Sequence, residues 1–199
     1  MTQVKGIINS RYTFWVLLAL PSLPMIFWSV IDPHHMHDYM HDAGDYAAHF
    51  LVLALVITPL MYLTNGNSFI RWLRKRRRFI GVAAFSYTAL HVAFDFLQFH
   101  SFEAFWSDTT RLSIIAGWVA FFVLIPLAIT SNQWAVRTLG RAWKSLHRWV
   151  YVAALFTLAH WILIEHGYVS LTIHFGILAA LEAYRVWYLN WGGRRTVKA

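Results

Sequence analysis

Three histidines stand in almost wholly apolar surroundings: His91 in SYTALHVAF, and His147 and His160 thirteen residues apart in LHRWVYVAALFTLAHWILIEHG. Neutral imidazole is a good ligand for iron, and two imidazoles facing each other from neighbouring helices fill both axial positions of a low-spin haem. Such a centre carries one electron while keeping the iron closed to oxygen. A lone histidine in a helix serves equally well as a hydrogen-bonding group. Ionisable groups inside apolar spans are functional candidates by default, so the question is whether the three rings fall at related depths. The chain has no cysteine, which excludes disulfide scaffolds, cysteine-ligated iron–sulfur clusters, CxxCH haem attachment and dithiol chemistry.

The elements that position these rings follow from composition. Of 199 residues, 58% are hydrophobic and 13% charged, with 11 Trp and 15 Phe, more apolar surface than a soluble domain hides. The net charge of +8 does not indicate nucleic acid, because the cations sit in short blocks between apolar runs and not along one accessible face. Six segments have spanning length, near 12 to 31, 45 to 64, 79 to 100, 111 to 130, 147 to 165 and 169 to 190. Backbone groups in lipid must be satisfied internally, so the expectation is an all-α integral membrane protein, a bundle of six transmembrane helices. The first segment contains Pro21 and Pro24 and lacks a convincing small-residue cleavage site, which favours a retained span over a signal peptide. No internal repeat, low-complexity tract or long linker divides residues 1–199, so one domain is expected.

Positive charge sets the orientation. Lys5 and Arg11, the run Arg71, Arg74, Lys75, Arg76, Arg77 and Arg78, the group Arg137, Arg141, Lys144 and Arg148, and finally Arg185, Arg194, Arg195 and Lys198 share one side if there are six spans. Only Arg111 of the 17 basic residues falls on the other. The basic side is cytoplasmic, with both termini there, and RWLRKRRR reads as a topology signal in contact with lipid headgroups. Arg77 and Arg78 are also candidates for contact with a quinone or a flavin phosphate. The opposite loops carry Asp32, Asp38, Asp42, Asp45, Glu103, Asp108 and Glu165. His91 lies thirteen residues beyond Arg78, and His160 thirteen beyond His147. Each step is ~20 Å along a helix, so His91 and His160 share a depth in the outer half while His147 marks the inner boundary.

Small residues beside these rings would admit a flat macrocycle: Gly81, Ala83, Ala84, Ala89 and Ala93 near His91, and Ala153, Ala154 and Ala159 before His160. They serve ordinary helix packing equally well. On an ideal helix thirteen residues turn ~140° away from a shared face, so His147 and His160 require a kink or ligate on different sides. The inner level of the third span offers Arg78 and no histidine, leaving a second haem without an obvious partner ligand.

The stretches RRRFIGVAAFSYTALHVAFDF and LAITSNQWAVRTLGRAWKSLHRWVYVAALFTLAHW, with LALVITPL at 53 to 60, resemble the ferric reductase-like transmembrane family, and within it the haem-binding subunits of methionine sulfoxide reductase systems. The likeness runs from about Gly44 to about His166 and is specific in the basic run followed by LH, in T-S-x-Q, and in L-G-x-x-W-x-x-L-H with a second histidine thirteen residues on. The resemblance implies that His91, His147 and His160 ligate b-type haem, one or two per chain, in a multi-pass protein of the bacterial inner membrane. It further implies electrons taken from the quinone pool and passed to a periplasmic molybdopterin reductase that repairs methionine sulfoxide, and it associates flavin mononucleotide (FMN) with such proteins. The chain would then be an electron-transfer subunit and not the catalytic one. No dinucleotide fingerprint or phosphate-binding loop is present, so a nicotinamide donor would need a second protein.

Other features are not part of that pattern. His49 and His174 lie roughly level with His160 and are candidates for ligation, a quinone or proton site, or structural hydrogen bonding. Asp95, one turn past His91, suits either a bond to a ligand histidine or proton release. DPHHMHDYMHDAGD, with His34, His35, His37 and His41, reads as a flexible polar loop, a partner-docking segment or a zinc, copper or nickel site. His100 and His166 join this outer histidine-bearing surface. Two alternatives therefore stand beside electron transfer to a protein: a ferric or cupric metal reductase, and a transporter using buried histidines as a proton relay.

Overall fold

A computed structural model describes residues 10–99, 101–164 and 168–192. The expectations that involved Lys5, His100, Glu165, His166, Arg194, Arg195 and Lys198 lie outside these residues. The chain is helical with no strand among the described residues: α1 (Arg11–Ala19), α2 (Ser22–Ile31), α3 (Met36–Leu63), α4 (Ser68–Gln98), α5 (Phe102–Thr109), α6 (Leu112–Ile129), α7 (Gln133–Leu139), α8 (Arg141–His147), α9 (Val150–Ile164) and α10 (Tyr168–Trp187). Four helical stretches, Pro33–Leu63, Ser68–Gln98, Leu112–Ile129 and Arg141–Ile164, are long and apolar enough to cross a membrane. The α1–α2 pair makes a fifth if its 42° bend is one broken span. The bend falls at the Pro21 and Pro24 stretch, where two backbone donors are missing. The sixth expected span corresponds to α10, which carries a Glu182–Arg185 ion pair at 3.0 Å and is not among those four.

Two boundaries differ from the sequence expectation for one physical reason. The turn between α3 and α4 is confined to residues 64–67, with Asn65 and Gly66 at φ 50° and 72° and the Asn67 side chain capping α4 by accepting from the Phe69 N–H at 2.8 Å. The basic run is therefore helix and not loop. Arg76 is buried under the Trp72 ring at 4.0 Å, and Arg77 donates to Thr58 Oγ1 at 2.9 Å, so part of this charge holds α4 against its neighbours. Likewise DPHHMHDYMHDAGD is not a flexible loop: a short 3-10 turn, Pro33–His35, leads directly into α3. Met36, Met40, Ala43 and Ala47 recur at helical spacing and pack with Met25, Tyr87 and Phe94. His37 and His41 ride the adjoining face, and their polarity masks the apolar stripe.

The core sits where α3 and α4 pair along their length, α6 pairs with α9, and α10 lies on α3. Leu51, Leu55, Ala84, Leu124, Ala153, Trp161 and Phe175 interlock there. The outer faces present large apolar side chains such as Val30, Leu112 and Ile129, the inside-out pattern of a helix bundle solvated by lipid.

Candidate functional site

His91 on α4 and His160 on α9 face each other with ring centroids 6.2 Å apart and planes at 85°. Each ring is held in the same way. The His91 Nδ1–H donates to the Met40 carbonyl at 2.8 Å, and the His160 Nδ1–H donates to the Ser113 carbonyl at 2.7 Å. A carbonyl oxygen only accepts, so the proton of each imidazole sits on Nδ1 and each Nε2 keeps its lone pair free for a metal. This is the arrangement in which a backbone carbonyl fixes the tautomer and plane of a ligating histidine.

The carbonyls are reachable because each precedes a glycine by four residues. A Cβ on Gly44 would lie 2.9 Å from His91 Nδ1, and one on Gly117 would lie 2.8 Å from His160 Nδ1. Any side chain there would occupy the ring's place. The glycine leaves a notch on α3 and another on α6, and the imidazole of the facing helix lies in each.

Both rings line a cavity of ≈ 630 Å³ between α3, α4, α6 and α9. That is within the ~300–1,000 Å³ typical of ligand sites. Its small wall residues are Gly44, Ala47, Ala48, Gly117 and Ala120, on α3 and α6. None of Gly81, Ala83, Ala84, Ala89, Ala93, Ala153, Ala154 and Ala159 is among them. Ala84, Ala153 and Ala154 pack in the helix core instead. The room for a flat group is thus made by the helices opposite the histidines, because a ring reaching across a gap needs space at its tip and not at its root. The fit to haem can be tested on distance. Metal–imidazole bonds of about 2 Å on opposite faces, with about 1 Å from each nitrogen to its ring centre, put the two ring centres about 6 Å apart. The observed separation meets that requirement.

Asp95, Asp45 and Asp108 also line this cavity, with Asp108 paired to Arg111 at 3.0 Å. His147 does not join it. A short turn at Arg148 and Trp149 separates α8 from α9, and the two histidines face different cavities, the second of the two outcomes that the thirteen-residue spacing allowed. His147 stacks on Trp143 at 3.9 Å, lies 3.0 Å through Nε2 from Thr130 Oγ1, and lines a second cavity of ≈ 270 Å³ with Arg77, Arg78, Lys144 and Arg148. Among the described residues, no other histidine lines that cavity. His49 and His174 contact each other at 4.3 Å and approach Trp161, behind the wall of the first cavity and not on it. Among the described residues, no three His, Asp or Glu side chains gather as a metal site.

Gly44, Gly117 and the Met40 and Ser113 carbonyls were not singled out by sequence reasoning. The available signal was an isolated glycine inside a helical apolar pattern, which is costly unless something packs on it.

The chain belongs to the ferric reductase-like transmembrane component family, whose model matches residues 43–158, from within α3 into α9, and ends two residues before His160. Over 92% of its length and 85% of the relative's, it is 32% identical to the Brucella anthropi protein named "protein-methionine-sulfoxide reductase heme-binding subunit MsrQ". It is 34% identical over 188 residues to the proteins of that name from Brucella ovis and Brucella canis, covering 88% of this chain and 82% of each relative. No solved structure matches the chain.

Proposed function

We propose that this protein is the membrane electron-transfer subunit of a methionine sulfoxide reductase system, with His91 and His160 as the axial ligands of a b-type haem. The observation that carries the reading is the paired fixing of both imidazoles through Nδ1, which leaves Nε2 as the ligating atom on two rings that line one cavity with centroids 6.2 Å apart, a ring separation that suits a single iron. Haem, when bound, supplies reversible one-electron carriage. The protein's own part is to orient: the Met40 and Ser113 carbonyls hold the rings, Gly44 and Gly117 let them lie flat on the opposite helices, and the apolar wall keeps water from the centre.

The donor is a membrane quinol and the acceptor a periplasmic molybdopterin reductase of the MsrP kind, as the family resemblance implies; the names of the relatives support a methionine sulfoxide reductase as the partner. The cavity at His147, walled by Arg77, Arg78, Lys144 and Arg148, has the charge to receive the polar end of a quinone or the phosphate of FMN. His147 ends the path on that side, and the absence of another histidine on its walls favours one haem over two. The chain crosses the bacterial inner membrane six times, with α10 as the last span and both termini cytoplasmic, since that topology gathers nearly all its cations on one side.

The test is a pyridine haemochrome assay with dithionite-reduced minus oxidised spectra on detergent-purified protein, beside His91→Ala and His160→Ala. A b-type signal abolished in both variants is expected. Haem retained at full stoichiometry in either variant would remove that residue from the ligand pair.

A further inference from the structure

The histidines at the start of α3 are not used by the haem site. His37 and His41 sit one turn apart on a helix whose adjoining stripe, Met36, Met40, Ala43 and Ala47, is packed into the bundle, so the backbone that carries them is fixed. Their Nε2 atoms lie 3.2 Å apart, with ring planes at 82°. Both rings open onto the mouth of the cavity that His91 and His160 line.

We propose that His37 and His41 form a two-imidazole chelate for a divalent transition-metal ion such as zinc, nickel or copper. Two nitrogens each about 2.0–2.1 Å from one ion are about 2.9 Å apart at a right angle and about 3.4 Å apart at the tetrahedral angle. The observed 3.2 Å falls between them, so the two nitrogens already stand at a chelating separation. Histidines spaced i, i+4 on one helix face are a recurring metal-binding pair for this reason. Without metal, one Nε2–H donates to the other Nε2; on binding, that proton moves to Nδ1 of the same ring, and both rings coordinate as neutral imidazoles with no net proton release. Asp45 on the same cavity adds negative charge that favours a cation, Asp108 being paired with Arg111, and water completes the coordination. His35 is engaged elsewhere, with Asp38 at 3.0 Å and Asp32 at 3.8 Å, which sets the pair apart from its histidine neighbours.

The site stands independently of the haem assignment, and its test reads metal and not electron transfer. Zinc is titrated calorimetrically into tag-free, haem-loaded protein in detergent, beside His37→Asn, His41→Asn, the double variant and His34→Asn. One saturable zinc equivalent is expected, weakened roughly tenfold or more by either single substitution and left within about twofold by His34→Asn. An unchanged haem absorption spectrum in every variant shows that the fold and the haem ligands are intact. In parallel, the electron paramagnetic resonance spectrum of bound copper should show nitrogen coupling that the double variant loses. Zinc affinity in the double variant equal to that of the unaltered protein, or no saturable binding below about 1 mM in the unaltered protein, would overturn the proposal.

Discussion

Adding a single methyl group to the wall opposite His160 separates site geometry from helix stability. In Gly117→Ala the new Cβ lies 2.8 Å from Nδ1 and 3.0 Å from Cε1, whereas ordinary contact begins at 3.4 Å. The ring must retreat by about 0.6 Å, the difference between 3.4 and 2.8 Å. It retreats from the Ser113 carbonyl as well, stretching a 2.7 Å bond toward or past the limit of a good hydrogen bond. Losing a bond that orients a metal ligand weakens metal binding by about 10- to 100-fold. The same substitution in a helix interior stabilises the helix by about 0.5–1 kcal/mol. The two effects have opposite signs, so a variant that binds haem worse while its apoprotein unfolds no more easily carries damage to the site alone. Gly44→Ala should behave alike, with its Cβ 2.9 Å from His91 Nδ1, while Gly81→Ala, where nothing lies within 4 Å, should be silent. The assay is haemin titration of apoprotein in detergent, with thermal unfolding followed by circular dichroism. Wild-type haem affinity in both Gly44→Ala and Gly117→Ala would refute the notch as the device that positions the ligands.

His147→Ala should leave the haem spectrum and stoichiometry of the His91 and His160 pair unchanged, because it lines a separate cavity, while slowing quinol-driven haem reduction; a loss of half or more of the haem would restore it as a ligand. Tyr87→Phe removes the buried bond from its hydroxyl to the Leu18 carbonyl at 3.0 Å, and about 1 kcal/mol of stability should go with it, read from denaturation in detergent. Topology reporters fused after residue 192 should report the cytoplasm; a periplasmic signal would remove α10 from the spans or add one elsewhere.

Much of the site was legible because its signals are periodic. His91 and His160 could be matched in depth by counting rise per residue from basic residues, and the structure brings their rings within 6.2 Å. The mismatch of faces between His147 and His160 allowed a kink or two separate sites, and the structure places them on two separate cavities. What could not be read was which helix gives way to admit a planar group. Alanines next to a histidine in sequence lie on its own helix, whereas the space at the ring's tip belongs to a helix some fifty residues away, as the Met40–His91 bond across 51 positions shows. Polarity misled at both ends of α3 and α4, where histidines and arginines on exposed faces hid helices whose buried faces carry Met36, Met40 and Ile70.

The length of α4 has a consequence of its own. Its 31 residues rise about 46 Å, roughly half as long again as the ~30 Å hydrocarbon layer. The excess lies at the arginine-rich start, where Arg71 donates to the Gly66 carbonyl, Arg78 lines the cavity of His147, and Arg76 and Arg77 clamp the rod to α1 and α3. The helix is thereby a ruler whose zero is set by these side-chain clamps, and His91 is read off at a fixed mark along it. Inserting or removing one residue between Arg78 and His91 moves that mark by only about 1.5 Å but swings it through about 100°, away from the Met40 carbonyl altogether. Register along this rod, more than its apolarity, is therefore what the sequence between those two residues must preserve.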